Sequence, residues 1–137
     1  MRTLLTEIDG LDQRAASRFG ISRTDLRCID VLRTTGPLTA SELARAVGLT
    51  SGGLSIALER LEHSGFIRRR SHPDDRRKVL VETTSHVKPL EAEVFGALGK
   101  RMSAILQRYD DDELRLIEDY LERTATAIVR TATDSQR

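Results

Sequence analysis

The sequence lacks the features that would place it in a membrane or outside the cell. Its 137 residues contain no run of eighteen apolar residues, so no membrane span is expected. The first residues include Glu7 and Asp9, where a signal peptide would need an apolar stretch. A single cysteine, Cys28, excludes an internal disulfide and suits a reducing compartment. We therefore expect a soluble, cytoplasmic protein.

Patterns typical of catalysis and metal binding are also missing. The chain has no Gly-rich phosphate loop, no nucleophile elbow and no carboxylate pair in an apolar setting. Its three histidines lack metal-ligand spacing, and no cysteine pair accompanies them. We expect no enzyme activity, no metal and no cofactor. Cys28 is interpreted as a buried structural thiol, with a redox sensor as the alternative.

Charge is unevenly distributed along a chain whose net charge is only +1. Residues 66–81 carry six Lys/Arg against two acids, whereas residues 110–123 carry seven acids against two Arg. A basic stretch of this kind is typical of a surface that meets a polyanion such as nucleic acid. The alternative is a solvated charged face, and charge alone does not choose between them.

Apolar residues at spacings of three and four predict six helices. A polar or acidic residue opens each of the last five: Ser22 (with Asp25 completing a capping box), Thr39, Thr50, Ser85 and Asp110. Gly36-Pro37, Gly48 and Gly65 mark helix ends, and Pro89 falls in the first turn of the fifth helix, where proline is tolerated.

Helices 39–48 and 50–64 form a predicted helix-turn-helix, in which the second is the recognition helix. Two strand-like segments within 66–84 flank a charged turn, residues 71–77, and predict a hairpin, or wing. A short strand at 37–39 completes a small sheet. The predicted fold is mainly α with a small β-sheet (α+β), a winged helix-turn-helix between flanking helices.

The segments 38–44 and 66–84 resemble the multiple-antibiotic-resistance regulator (MarR) family of bacterial transcription factors. The specific part is the hairpin tip, His72-Pro73-Asp74-Asp75-Arg76-Arg77, which is similar to the family pattern Asp-Pro-x-Asp-Arg-Arg and departs from it at His72. The resemblance is densest over residues 37–84. The length of 137 residues predicts a single domain over 1–137. Within it we expect a winged helix-turn-helix at 22–84 and dimerisation helices at 1–20 and 85–137.

The resemblance also implies roles for residues of the wing and the third helix. Arg77 is the cation inserted into a minor groove, Asp75 orients that side chain, and Arg76 and Ser41 contact phosphates. The alternative is that the hairpin tip is a solvated loop. The full set predicted to contact DNA is Ser41, Thr50, Ser51, Gly52, Ser55, Ile56, Arg60, Arg70, Arg76, Arg77 and Lys78.

Two features of the recognition helix are unusual. Two glycines in succession, Gly52-Gly53, lower the stability of a helix relative to alanine. Close approach of the backbone to DNA would explain them, and the alternative is a loosely wound first turn. Ile56 stands where family members often have Arg. It can touch a thymine methyl but cannot bind guanine bidentately, so we predict a weaker or more A·T-biased direct readout. Of Arg68, Arg69 and Arg70, which alternate faces on a strand, at least one is expected to pair with an acid.

The flanking helices carry apolar stripes that the winged region cannot cover, which predicts a homodimer on double-stranded DNA with half-sites about 34 Å apart. By resemblance, a small anionic or aromatic effector releases the DNA, as expected of a ligand-responsive repressor. The alternatives are a winged-helix module for protein contacts, and an enzyme or metal sensor.

Overall fold

The computed structural model describes the backbone of residues 2–134 and the side chains of residues 2–128, 130 and 131. Within that part of the chain, six helices and three strands follow the predicted order and confirm the fold class. They are α1 (Arg2–Phe19), α2 (Arg23–Thr35), β1 (Leu38–Thr39), α3 (Ala40–Val47), α4 (Ser51–His63), β2 (Ile67–Ser71), β3 (Val79–Thr83), α5 (Val87–Leu106) and α6 (Asp111–Asp134).

Capping boxes start α2 and α3. At α2 the Asp25 N–H donates to the Ser22 hydroxyl at 3.1 Å, and the Ser22 N–H donates back to the Asp25 carboxylate at 3.2 Å. Thr39 and Glu42 form the same reciprocal pair at α3. Each box satisfies two N–H groups that a helix start otherwise leaves unpaired. The predicted starts of α2 at Ser22 and of α3 at Thr39 are therefore confirmed.

Ser85 was predicted to cap α5, which would start the helix at residue 86, but the helix begins at Val87. The Thr84 hydroxyl accepts a hydrogen bond from the His86 N–H at 3.3 Å and donates to the Gly65 carbonyl. This contact holds residues 85 and 86 in a turn, so the helix starts one residue later than predicted. Pro89 still falls in the first turn, as predicted.

Two compact units divide the chain, Met1–Phe95 and Gly96–Arg137. The core of the first unit is formed by the end of α1, by α2, α3 and α4, and by the inner face of the sheet, and α5 adds Val87, Leu90 and Val94 to it. The first turns of α5 therefore belong to the same body as the winged region, rather than to the flanking helices as the sequence pattern suggested. A single domain over 1–137 stays a prediction.

The sheet is antiparallel, with strand order β1-β3-β2. Leu38 lies opposite Val81 on one side of β3, and Arg68 lies opposite Glu82 on the other. This register joins the short strand before α3 to the hairpin that follows α4. The predicted wing is confirmed, and its turn projects from the end of the sheet.

The second unit has a different character. Asp110 caps α6 by accepting from the N–H groups of Asp112 and Glu113, both at 2.9 Å. Among the side chains that the structure describes between Gly96 and Thr131, none is buried. Over residues 2–134, no helix is long and apolar enough to cross a membrane.

Candidate nucleic-acid interface

The turn between α3 and α4 aims the second helix. Gly48 adopts the left-handed conformation (φ 72°, ψ 34°) that ends α3, and a side chain there would be strained. Thr50 then caps α4 by accepting from the Gly53 N–H at 3.1 Å. The buried side chains of α4 are Leu54, Ala57, Leu58 and Leu61. The opposite face of the helix is left to solvent.

The exposed face of α4 holds most residues predicted to contact DNA on this helix. Ser51 and Gly52 lie in its first turn, and Ser55 and Ile56 follow on the exposed side. The Ile56 side chain is 58% exposed and does not belong to the hydrophobic core formed by the described residues. Glu59 was not predicted to belong to this face, although it lies there one turn further along. Its spacing of three from Ile56 would have indicated that the two side chains share a helix face.

The two glycines of α4 differ in whether the surrounding structure restricts a side chain at their position. A Cβ on Gly53 would come within 3.2 Å of the Thr50 hydroxyl, so the cap itself restricts that position. A Cβ on Gly52 would meet nothing within 4 Å. The helix pays the propensity cost of Gly52, about 1 kcal/mol relative to Ala, without any packing reason within the described residues.

Arg60, which was predicted to contact DNA, forms an ion pair within the protein, although its side chain is half exposed. Its Nε and Nη2 donate to the two carboxylate oxygens of Asp25 on α2 at 3.1 and 2.7 Å. The Asp25 side chain is only 2% exposed. Burial opposes its ionisation, but the hydrogen bonds from Arg60 and Ser22 outweigh burial and lower the pKa of Asp25. Arg60 therefore ties α4 to α2.

The base of the wing is neutralised by acids. Glu82 on β3 accepts from the Nε of Arg68 at 2.7 Å and from the Nε of Arg70 at 2.8 Å. These hydrogen bonds lower the pKa of Glu82, Arg70 having the larger effect. Arg69 points to the other face and pairs with Glu62 of α4 at 3.2 Å. The expectation that at least one of the three arginines pairs with an acid is confirmed, and Arg70 shares its partner with Arg68.

The tip of the wing has the opposite character. Three cations in succession, Arg76, Arg77 and Lys78, are exposed, and none forms an ion pair with a carboxylate of the described chain. Asp75 accepts from the backbone N–H of Arg77 at 3.0 Å, and its carbonyl accepts from the Lys78 N–H at 2.9 Å. Asp75 thus shapes the turn through the main chain, whereas the sequence analysis assigned it to the Arg77 guanidinium.

Ser41 lies exposed in the first turn of α3. The alternative role for Ser41, capping α3, is excluded because Thr39 caps this helix. Its hydroxyl is available at a helix start, where free N–H groups and the helix dipole favour an anion.

Cys28 is fully buried in the core beside α4. Burial, reinforced by the charge of Asp25, raises the pKa of the thiol to about 11. A protonated thiol without solvent access is a poor nucleophile. The geometry agrees with the structural interpretation and disfavours the redox sensor.

Two acids that organise the site escaped prediction in this role. Asp25 was interpreted only as a capping residue, and Glu82 was counted only as part of a strand. The signal for Glu82 was present, because Arg68 and Arg70 are two residues apart and share a strand face. No local signal links Asp25 to Arg60, which lies 35 positions away.

A solvent-facing recognition helix beside a wing with a cationic tip defines a winged helix-turn-helix protein. A sequence model described as the MarR family matches residues 21–79. The HTH-type transcriptional regulator YcgE of Bacillus subtilis (strain 168) is 33% identical over 113 residues, which cover 82% of this chain and 73% of that protein. The chain belongs to the MarR family of transcriptional regulators.

Solved structures agree with this assignment at the level of the fold. A MepR variant of S. aureus bound to an oligodeoxyribonucleotide has a TM-score of 0.61 and 18% identity, covering 93% of this chain and 94% of that one. NadR in complex with 4-hydroxyphenylacetate has a TM-score of 0.64 and 24% identity, covering 90% and 89%.

Proposed function

We propose that this chain is a sequence-specific regulator of transcription that binds double-stranded DNA as a homodimer. The observation that carries the proposal is the division of charge along the wing. Arginines at its base are paired with Glu82 and Glu62, whereas Arg76, Arg77 and Lys78 at its tip form no ion pair with a described residue. Of these three, Lys78 is close enough to the Glu42 carboxylate to help lower the pKa of that group. Unpaired, exposed cations release counterions from DNA when they meet phosphates, and this supplies affinity.

The two parts of the interface have separate tasks in this proposal. The first turns of α4, with Thr50 and Ser51 at the helix start, enter a major groove and face the base edges. The wing tip follows the backbone, and Arg77 enters the narrow minor groove, whose negative potential attracts a guanidinium group. Asp75 contributes by fixing the turn that presents Arg77. Ser41 contacts a phosphate from the start of α3.

Dimerisation is supported by apolar surface in each unit. In the first unit, Leu4, Leu5 and Ile8 of α1 are about half exposed. In the second unit, exposed apolar side chains recur along both helices: Met102, Ile105, Leu106, Tyr109, Leu116, Tyr120, Leu121 and Ile128. Between Gly96 and Thr131 none of the described side chains is buried, so this unit has no core of its own there, and a second copy would provide one. A two-fold dimer then places its recognition helices about 34 Å apart on a pseudo-palindromic operator.

Ligand control is the finer part of the proposal. NadR was solved with 4-hydroxyphenylacetate, an aromatic anion. In this chain a cavity of about 430 Å³ lies within the first unit, lined by Arg33 and Lys88 and by the carboxylates Glu82 and Glu91. Arg33 pairs with Glu91 at 2.6 Å, so Lys88 is the cation of this lining that has no ion pair among the described residues. We propose that a small anionic or aromatic effector binds at Lys88 and releases DNA, as in a repressor that acts in the cytoplasm. Loss of the DNA complex on adding 4-hydroxyphenylacetate would support this, and a millimolar excess without effect would argue against that compound.

The test of DNA binding is selection of bound duplexes from a random pool, followed by binding titrations at several salt concentrations. Arg77→Ala should weaken binding and lower the magnitude of the log–log salt slope by about 1. Arg68→Ala is the matched control, since it removes a cation of the same hairpin that Glu82 already neutralises. Light scattering of the wild type should report a dimer.

The alternative function, a winged-helix module for protein contacts, predicts no duplex binding even at low salt. Equal losses in the two arginine variants would also contradict the proposal, because Arg68 is paired with Glu82 and Arg77 has no ion pair with a described residue.

A further inference from the structure

The exposed face of α4 carries no unpaired cation. The one arginine of this helix, Arg60, is held by the buried carboxylate of Asp25. The outer face carries Gly52, Ile56 and Glu59 at spacings of four and three. Ser51 and Ser55 are exposed beside them. Readout of guanine by a bidentate arginine, the commonest specific contact in the major groove, is therefore not available to this helix.

The same face is also a poor partner for phosphates. Glu59 is exposed and has no ion pair with any described residue, so its carboxylate would repel a DNA backbone. A carboxylate can instead accept from the amino group of cytosine at a base edge. The charge of this face therefore favours contact with the base edges of DNA over contact with its phosphate backbone.

Ile56 is the large apolar group on that face. Its side chain is 58% exposed, and no packing within the described chain explains an isoleucine there. The C5-methyl of thymine is the apolar group that the major groove displays. Contact with it would remove the Ile56 side chain from water without leaving a polar group unpaired.

Gly52 makes that contact possible. It lies one turn before Ile56 on the same side of α4, and a Cβ there would meet nothing in the protein. The absent side chain lets the helix backbone approach the floor of the groove. The Ile56 side chain projects from the helix surface, and the missing side chain at Gly52 leaves space beside it. A methyl group on a base edge can contact Ile56 in that space.

We infer that α4 selects its operator through van der Waals contact between Ile56 and a thymine methyl, while Asp25 withholds Arg60 from the DNA. This inference rests on the proposed function and adds to it the chemical group that is recognised. Affinity then comes from the wing tip and discrimination from an uncharged part of the recognition helix.

The test replaces thymine with deoxyuridine, one position at a time, in the tightest duplex recovered from the random pool. Deoxyuridine pairs as thymine does and lacks only the methyl group. We expect one position in each half-site where the change weakens wild-type binding about fourfold, the effect of burying one methyl-sized group. Ile56→Ala should lose at least as much on the thymine duplex and should no longer distinguish the two duplexes.

A second measurement addresses Arg60. Arg60→Met should leave the salt slope of DNA binding unchanged, whereas Arg77→Ala should reduce it by about 1. Circular dichroism of the Arg60→Met protein establishes that the folded state is the one compared.

The outcomes separate the two proposals. If the wild type binds no duplex, the proposed function fails and the inference fails with it. If the wild type binds but no thymine position responds to deoxyuridine, or if Ile56→Ala loses equally on both duplexes, only the inference is overturned. A reduced salt slope in folded Arg60→Met would also overturn it.

Discussion

Replacing Asp25 by Asn should weaken the first unit substantially, because this carboxylate both caps the start of α2 and joins α2 to α4. It accepts two hydrogen bonds from Arg60 of α4, at 3.1 and 2.7 Å, and one from the Ser22 N–H at the start of α2. Asparagine preserves the shape but removes the charge, and it turns an amide donor toward the guanidinium donors.

The magnitude follows from these bonds. A hydrogen bond to a charged group contributes about 1.5–3 kcal/mol, and asparagine retains one acceptor oxygen. Arg60 is half exposed and can return to water, which keeps the loss well below that of a fully buried pair. We expect the free energy of unfolding to fall by about 2 kcal/mol at pH 7, or about 1 M in the urea midpoint.

The loss should depend on pH in one direction. Because the folded-state pKa of Asp25 is lowered, ionised Asp25 adds stability above its unfolded-state pKa of about 4. This contribution disappears as the pH falls through the folded-state pKa. Asparagine does not titrate, so the difference between wild type and Asp25→Asn should shrink toward pH 3.

The assay is urea unfolding followed by circular dichroism at pH 7 and pH 3, at one fixed protein concentration because a dimer couples stability to concentration. Asp9→Asn is the matched control, since Asp9 pairs with Arg23 on the surface, where such pairs contribute little. The reasoning is refuted if the two variants unfold alike at pH 7, or if the Asp25→Asn deficit persists at pH 3.

Other predictions follow from burial, backbone space and exposure. Cys28, with a pKa of about 11, should resist alkylation at pH 7.5 until urea is added; rapid native labelling, measured by mass spectrometry, would contradict its burial. Gly52→Ala should raise the melting temperature, since nothing opposes its Cβ, whereas Gly53→Ala should lower it; equal shifts would contradict the geometry of the Thr50 cap. Leu121→Asp should shift the light-scattering mass toward a monomer, with Glu122→Gln as control; an unchanged dimer would remove the second unit from the interface.

Local chemistry explains why so much of the fold was predictable. Capping residues such as Ser22 and Thr50, and the glycine after α3, act within a few positions of the chain, so their effect is visible in the sequence. The one misplaced helix start, at Ser85, has a nonlocal cause. There the Thr84 hydroxyl reaches back to Gly65 across the hairpin, and no pattern near Ser85 signals that contact.

The candidate site divides along the same line. The basic motif of the wing is contiguous, so the sequence alone located Arg76, Arg77 and Lys78. Whether a cation is paired depends on acidic residues of other segments, which the fold brings next to it. Glu82 reaches Arg68 through strand register, and Asp25 reaches Arg60 only when α2 packs against α4.

The sequence by itself determined the class of fold, the order of its elements and the place of the basic wing, because helix periods, caps and turn residues operate over short stretches of chain. Only the tertiary structure decided that Arg60 pairs with the buried Asp25, and that Asp75 accepts a hydrogen bond from the backbone of its turn. It also decided that Gly52 and Ile56 face outward, without a packing role among the described residues. The physical reason is that an ion pair or an exposed face is a relation between distant segments, and it exists only once the chain has folded.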